Sequence, residues 1–146
     1  FDTTVLPDGY YLMIVEASDI VGNTDSEIVN FSIRNWAVLE LLPATVENKA
    51  GRTFPVKFSL RIVEAVDPAT PFVWNEELTI MIYDKTNPEK ILQTATFGDL
   101  STDYRIAAEN EHYITNFKTA KVPSTYVVEI WRKDMLIGVF EFTTVK

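Results

Sequence analysis

Few side chains in this sequence can do covalent chemistry. The chain has 146 residues, no cysteine and a single histidine, His112. That excludes a thiol nucleophile, a disulfide framework, a zinc ribbon and an iron–sulfur site, and one imidazole cannot build a multi-histidine metal site. A serine triad would need His112, which lies in a run of strand-like alternation, and no Gly-x-Ser-x-Gly elbow is present to expose a nucleophile. Among 21 acidic residues no pair stands in a recognisable glycosidase setting, and the five glycines are isolated, so no loop can cradle a phosphate. No catalytic residue is expected.

Binding chemistry has more candidates. Calcium takes several oxygens converging from a loop. Asp19, Asn23 and Asp25 could supply them in one turn, and Asp84, Asn87 and Glu89 in another, though neither set has EF-hand spacing. The same residue types form turns without any ion, which is the commoner use. Sugars stack on exposed aromatic faces, so each tryptophan is weighed. Trp131 alternates with Tyr126, Val128 and Ile130 and shares a strand face with Glu129. It is therefore expected to point outward, as the leading surface for a polysaccharide or a protein partner, unless residues 1–34 cover it. The apolar stretch Pro71-Phe72-Val73-Trp74 is expected to fill the sandwich end, and Trp74 is the second binding candidate. Trp36 is expected to plug a joint between domains. Asn30-Phe31-Ser32 has the form of a glycosylation sequon, but it is read as a chance triplet because Phe31 falls in an apolar strand.

Positioning these residues requires a core, and at 47% hydrophobic and 12% aromatic the chain can build one. The net charge of −8 opposes nucleic-acid binding, which needs clustered basic residues. No uncharged apolar run approaches the roughly 18 residues that span a bilayer. The chain opens with Phe1 and shows no signal peptide, which points to a processed product or a piece of something longer. Period-2 alternation dominates, and no window carries a sustained helical stripe. Strands are predicted at 10–17, 28–33, 38–42, 54–62, 78–83, 92–97, 104–107, 112–117, 126–132 and 137–143, separated by Gly-, Pro-, Asn- and Asp-bearing turns. The expected core is Phe54, Val56, Phe58, Leu60, Ile62, Leu78, Ile80, Ile82, Val128, Ile130, Phe140 and Phe142. Pro55 should sit near the start of its strand or on an edge, because it has no N–H for a ladder. The expected fold is an all-β antiparallel sandwich with Greek-key connections.

Comparing the chain with itself exposes a repeat. A shift of 116 residues sets Phe1…Thr3…Pro7…Tyr10 on Phe117…Thr119…Pro123…Tyr126 without a gap. Each copy continues into an apolar strand, a polar turn and a last strand, Asn30-Phe31-Ser32-Ile33 or Phe140-Glu141-Phe142-Thr143. The expected division is a complete sandwich over 36–146 and, over 1–35, the closing hairpin of a second one. Such a hairpin is marginal alone. It should pack on the complete domain, pair with another chain or be poorly ordered, and its open edge is a candidate dimer contact. Pro7/Tyr10 and Pro123/Tyr126 read as two tyrosine corners, in which the hydroxyl ties back across the preceding turn.

Residues 1–34, from Leu6-Pro7-Asp8-Gly9-Tyr10-Tyr11 to Ala17-Ser18-Asp19-Ile20-Val21-Gly22-Asn23, resemble the closing strands of fibronectin-III and bacterial immunoglobulin-like repeats. Residues 36–146 resemble the PxKF type of module. The match runs through Ala50-Gly51-Arg52-Thr53-Phe54-Pro55-Val56-Lys57-Phe58-Ser59-Leu60, Tyr113-Ile114-Thr115-Asn116-Phe117-Lys118-Thr119, Pro123-Ser124-Thr125-Tyr126 and Gly138-Val139-Phe140-Glu141-Phe142. Thr125 departs from a usual Gly, and cysteine is missing. The resemblance implies an immunoglobulin-like fold and an accessory repeat of an exported enzyme or surface protein, subtilisin-like proteases among them. The implied setting is extracellular, with neighbouring domains of the parent as first partners.

Overall fold

The computed structural model describes residues 6, 8–41, 48–62 and 72–146. They divide into two compact units, Phe1–Asn35 and Trp36–Lys146. No helix in the described residues is long and apolar enough to cross a membrane.

The first unit contains β1 (Gly9–Ser18) and β2 (Thr24–Ile33), an antiparallel pair. The second contains β3 (Trp36–Glu40), β4 (Asn48–Lys49), β5 (Thr53–Ile62), β6 (Leu78–Asp84), β7 (Asn87–Thr96), β8 (Arg105–Ala107), β9 (His112–Lys118), β10 (Thr125–Arg132) and β11 (Met135–Val145). Its strands form two sheets, ordered β3-β5-β9-β8 and β4-β11-β10-β6-β7. These are the places of strands A, B, E, D and G, F, C of an immunoglobulin sandwich, with β7 added at the C edge. All pairings are antiparallel except the short β4 beside β11.

Alternation in β5 puts Phe54, Val56, Phe58 and Leu60 inward, where they meet Leu78, Ile80, Ile82, Val128, Ile130, Phe140 and Phe142 from the facing sheet. Phe54 stacks on Phe142 with centroids 4.4 Å apart, and Phe58 on Tyr113 at 5.3 Å. The core also takes Ala95, Tyr104, Tyr113, Phe117 and Tyr126. Ile62, expected in it, is only half-buried. It lies beyond the stretch that β9 covers, since β9 reaches along β5 only as far as Phe58. Pro55 pairs with Asn116 of β9, on a part of β5 that β3 does not reach, so its missing N–H breaks no ladder there. Gly138 is needed for close approach: a Cβ on it would lie 2.6 Å from Val38 Cβ.

Several strand boundaries differ from expectation, β2 beginning at Thr24 and β11 running from Met135 to Val145. The β6–β7 turn is Lys85-Thr86, so Asn87 and Pro88 lie inside β7. Pro88 is tolerated because β7 is an edge strand. The two-residue β4 was not predicted, being too short for any period to register.

The hairpin of the first unit corrects the sequence comparison. Tyr11 lies opposite Phe31 and stacks on it at 5.8 Å. In the second unit Tyr126 lies opposite Phe142, with centroids 5.2 Å apart. The matching residue is thus Tyr11, not Tyr10. The gapless alignment is one residue out, and a one-residue slip moves every side chain to the opposite face. Met13 opposite Val29 then answers to Val128 opposite Phe140. The likeness stops one pair later, where Glu27 stands in the place of Gly138.

Candidate functional site

Tyr126 is fully buried at the start of β10, and its hydroxyl accepts the N–H of Ala120 at 2.9 Å. The bond ties the β9–β10 connection to the strand that leaves it, and Phe117 meets the Tyr126 ring edge-on at 5.0 Å. Pro123 is exposed in that connection. In the first unit Pro7 lies outside the described residues, and Tyr10 is 95% exposed.

The two calcium candidates are built as turns. Asp19 accepts the N–H groups of Val21 and Asn23, both at 2.9 Å, and the Asn23 amide at 2.7 Å. The Asn23 bonds hold its carboxyl below the usual range. Asp25 lies in β2 and accepts the Ser26 N–H at 2.9 Å. Asp84 accepts the Ser124 hydroxyl and the N–H and hydroxyl of Thr86, bonds that lower its pKa and fasten the β6–β7 turn to β10. Asn87 is paired opposite Asp84 in the ladder, and Glu89 is exposed farther along β7. These oxygens accept protein hydrogens within tight turns. Among the described residues no group of three or more histidine, aspartate or glutamate side chains is placed to hold a metal. His112 has Nδ1 3.1 Å from the Asn110 carbonyl oxygen.

Trp131 lies on the outer face of the β10 sheet as expected, but half-buried. Its Nε1–H donates to Glu129 at 2.9 Å, and the Tyr83 hydroxyl donates to the other Glu129 oxygen at 2.8 Å. That second bond, with burial, raises the Tyr83 pKa. Sequence reading missed Tyr83, since only the β6–β10 register brings it to Glu129.

Of the stretch expected at the sandwich end, Phe72 and Val73 pack on the core, and Trp74 is 60% exposed. Its backbone is tied on both sides. Val73 donates its N–H to the Leu60 carbonyl at 2.9 Å, and its carbonyl accepts the Tyr113 hydroxyl at 2.8 Å. Glu76 accepts Arg132 Nε at 2.7 Å, and the Arg132 guanidinium lies 4.8 Å from the centroid of Trp36, which packs on the core. Beside this segment the starts of β6 and the ends of β7 and β10 form a groove of about 320 Å³, lined by Glu77, Leu78, Thr79, Thr96, Phe97 and Lys133. Phe97 is 55% exposed, its ring set edge-on against Tyr104 at 5.9 Å. In an immunoglobulin sandwich this end carries the B–C and F–G loops, the recognition loops of variable domains. An exposed aromatic already held in place loses little conformational entropy when a ligand covers it.

No protein-family model, no curated protein and no solved structure matches this chain.

Proposed function

We propose that the chain is a non-catalytic accessory module of a larger secreted or cell-surface protein, serving spacing, stabilisation or attachment. The observation that carries this reading is the pair of similar hairpins, Tyr11–Phe31 and Tyr126–Phe142, which supports a tandem of immunoglobulin-like units. The resemblance of residues 36–146 to the PxKF type of module agrees with it. Removing residues 36–146 from the parent should leave turnover of a small soluble substrate unchanged while weakening surface retention or heat resistance. Lost turnover with both other properties intact would reject the reading.

A second reading, binding of polysaccharide or a protein partner through exposed aromatics, is favoured by Trp74. Trp131 is the weaker candidate because its indole N–H is engaged by Glu129 and its side chain is half-buried. Retention on insoluble polysaccharides should fall with Trp74→Ala and hold with Trp131→Ala. Because Trp74 is exposed, its replacement should change stability by no more than about 0.5 kcal/mol. Absence of retention by the unaltered chain on every polysaccharide would sink the sugar version.

A further inference from the structure

In a chain of net charge −8, one end of the unit 36–146 is cationic. Residues 48–60 carry Lys49, Arg52 and Lys57 with no acidic residue, and residues 112–128 carry Lys118 and Lys121 with none. The fold joins the two stretches at the β4–β5 turn. The Arg52 carbonyl accepts the N–H and the hydroxyl of Thr119 at 3.0 and 2.8 Å, the Gly51 N–H donates to the Ala120 carbonyl at 2.6 Å, and Lys118 Nζ donates to the Gly51 carbonyl at 2.7 Å. Lys49, Arg52, Lys118 and Lys121 are all exposed. The ion pairs among the described residues use Arg61, Lys85, Arg105 and Arg132, so no described carboxylate neutralises these four charges. Glu47 lies outside the described residues, and its charge would offset only one of the four. The turn also builds a pocket of about 230 Å³, whose polar walls are Asn48, Lys49, Arg52, Thr53, Thr119 and Thr144. No carboxylate lines it. Thr119 and Thr144 are buried and bonded to the main chain of Arg52 and Ser124, which fixes that wall. Liquid water takes about 30 Å³ per molecule, so the pocket has more room than a single carboxylate or sulfate group fills.

We propose that this pocket binds an anionic polysaccharide, with Arg52 and Lys49 receiving the carboxylate or sulfate of one sugar unit and Lys118 and Lys121 attracting neighbouring charges of the polymer. A guanidinium offers two parallel N–H groups to an oxyanion. Asn48 and Thr53 add donors and acceptors of the kind that ring hydroxyls require, and attraction of charge alone would not need them. The site does not depend on Trp74. It lies at the Thr53 end of β5, whereas Val73 is bonded to Leu60, about 23 Å farther along the strand at roughly 3.3 Å per residue.

The test titrates the 146-residue chain with polygalacturonate, dextran sulfate, neutral dextran and polyglutamate, at low and high salt. One or both anionic glycans should bind, shift the amide resonances of Lys49, Arg52, Thr53 and Thr119, and weaken with salt. Which glycan binds identifies the anionic group. Arg52→Gln and Lys49→Gln should each raise Kd about tenfold, as loss of a charge-assisted hydrogen bond does. Both should leave the urea midpoint unchanged, because the side chains are exposed and Thr119 bonds only the main chain of Arg52. Trp74→Ala should leave Kd unchanged. Binding that survives the double replacement of Arg52 and Lys49, or resonance shifts centred on Trp74, would overturn the proposal. So would failure of both anionic glycans to bind at low salt, or equal binding of neutral dextran or polyglutamate.

Discussion

The β1–β2 and β10–β11 hairpins pair a tyrosine with a phenylalanine across the strands, yet the second is the centre of a core and the first, among the described residues, leaves Met13 and Val15 exposed. Tyr126 and Phe142 are both buried, while Tyr11 and Phe31 are half-buried and their neighbours Met13 and Val15 lie open. A cross-strand aromatic pair contributes about 0.2–1 kcal/mol. Burying the same side chains against a facing sheet contributes about 1.5–3 kcal/mol each. The difference between the hairpins is therefore one of tertiary cover and not of strand chemistry. Strand-forming residues set the pairing, and the facing sheet makes it durable.

The largest test of that contrast places a charge in each hairpin. Val128→Asp buries an unpaired carboxylate and should cost at least about 3 kcal/mol, enough to unfold much of the unit 36–146. Met13→Asp in the same 146-residue chain should leave that unit's urea midpoint unchanged. Tryptophan fluorescence reads the unit cleanly, because Trp36, Trp74 and Trp131 all belong to it. A common loss in both variants would erase the contrast.

A smaller effect is expected where the likeness ends. Gly138→Ala sets a Cβ against Val38 and should cost about 1–3 kcal/mol by overpacking. Glu27→Ala, at the corresponding place in β2, should leave the unit 36–146 unmoved in the same denaturant melt.

The smallest effect concerns acid. Hydrogen bonds from Ser124 and Thr86 depress the folded pKa of Asp84. Its contribution is therefore present above the unfolded pKa, near 3.9, and is lost as pH falls through the lower folded value. Asp84→Asn should flatten the acid limb of stability for the unit 36–146. Asp19→Asn, which alters the β1–β2 turn, should not. An acid limb insensitive to Asp84 would remove this turn from the account.

The alternation of Phe54 to Leu60 and of Leu78 to Ile82 was enough to read the sandwich and most of its core from sequence. What escaped depends on partners distant in sequence. Tyr10 and Tyr11 are adjacent, and Leu12/Ile14 and Met13/Val15 are equally apolar, so period-2 reading cannot choose a face for β1. The choice rests on Phe31 lying opposite Tyr11, which is a matter of register. Which residues of the apolar stretch before β6 enter the core was not legible, because the stretch has no period; Phe72 and Val73 pack there and Trp74 stays exposed. Tyr83 reaches Glu129 across strands that are far apart in sequence. The turn use of Asp19 and Asp84 was legible locally, since short polar side chains bond backbone groups two residues on.

Native-state amide exchange on the 146-residue chain tests the central claim most directly, because one sample contains both hairpins. Val128 and Ile130 amides should exchange only with global unfolding of their unit, and Met13 and Val15 amides through local opening, about 100-fold faster or more. Equal protection in the two hairpins, at a protein concentration low enough to exclude self-association, would contradict the account.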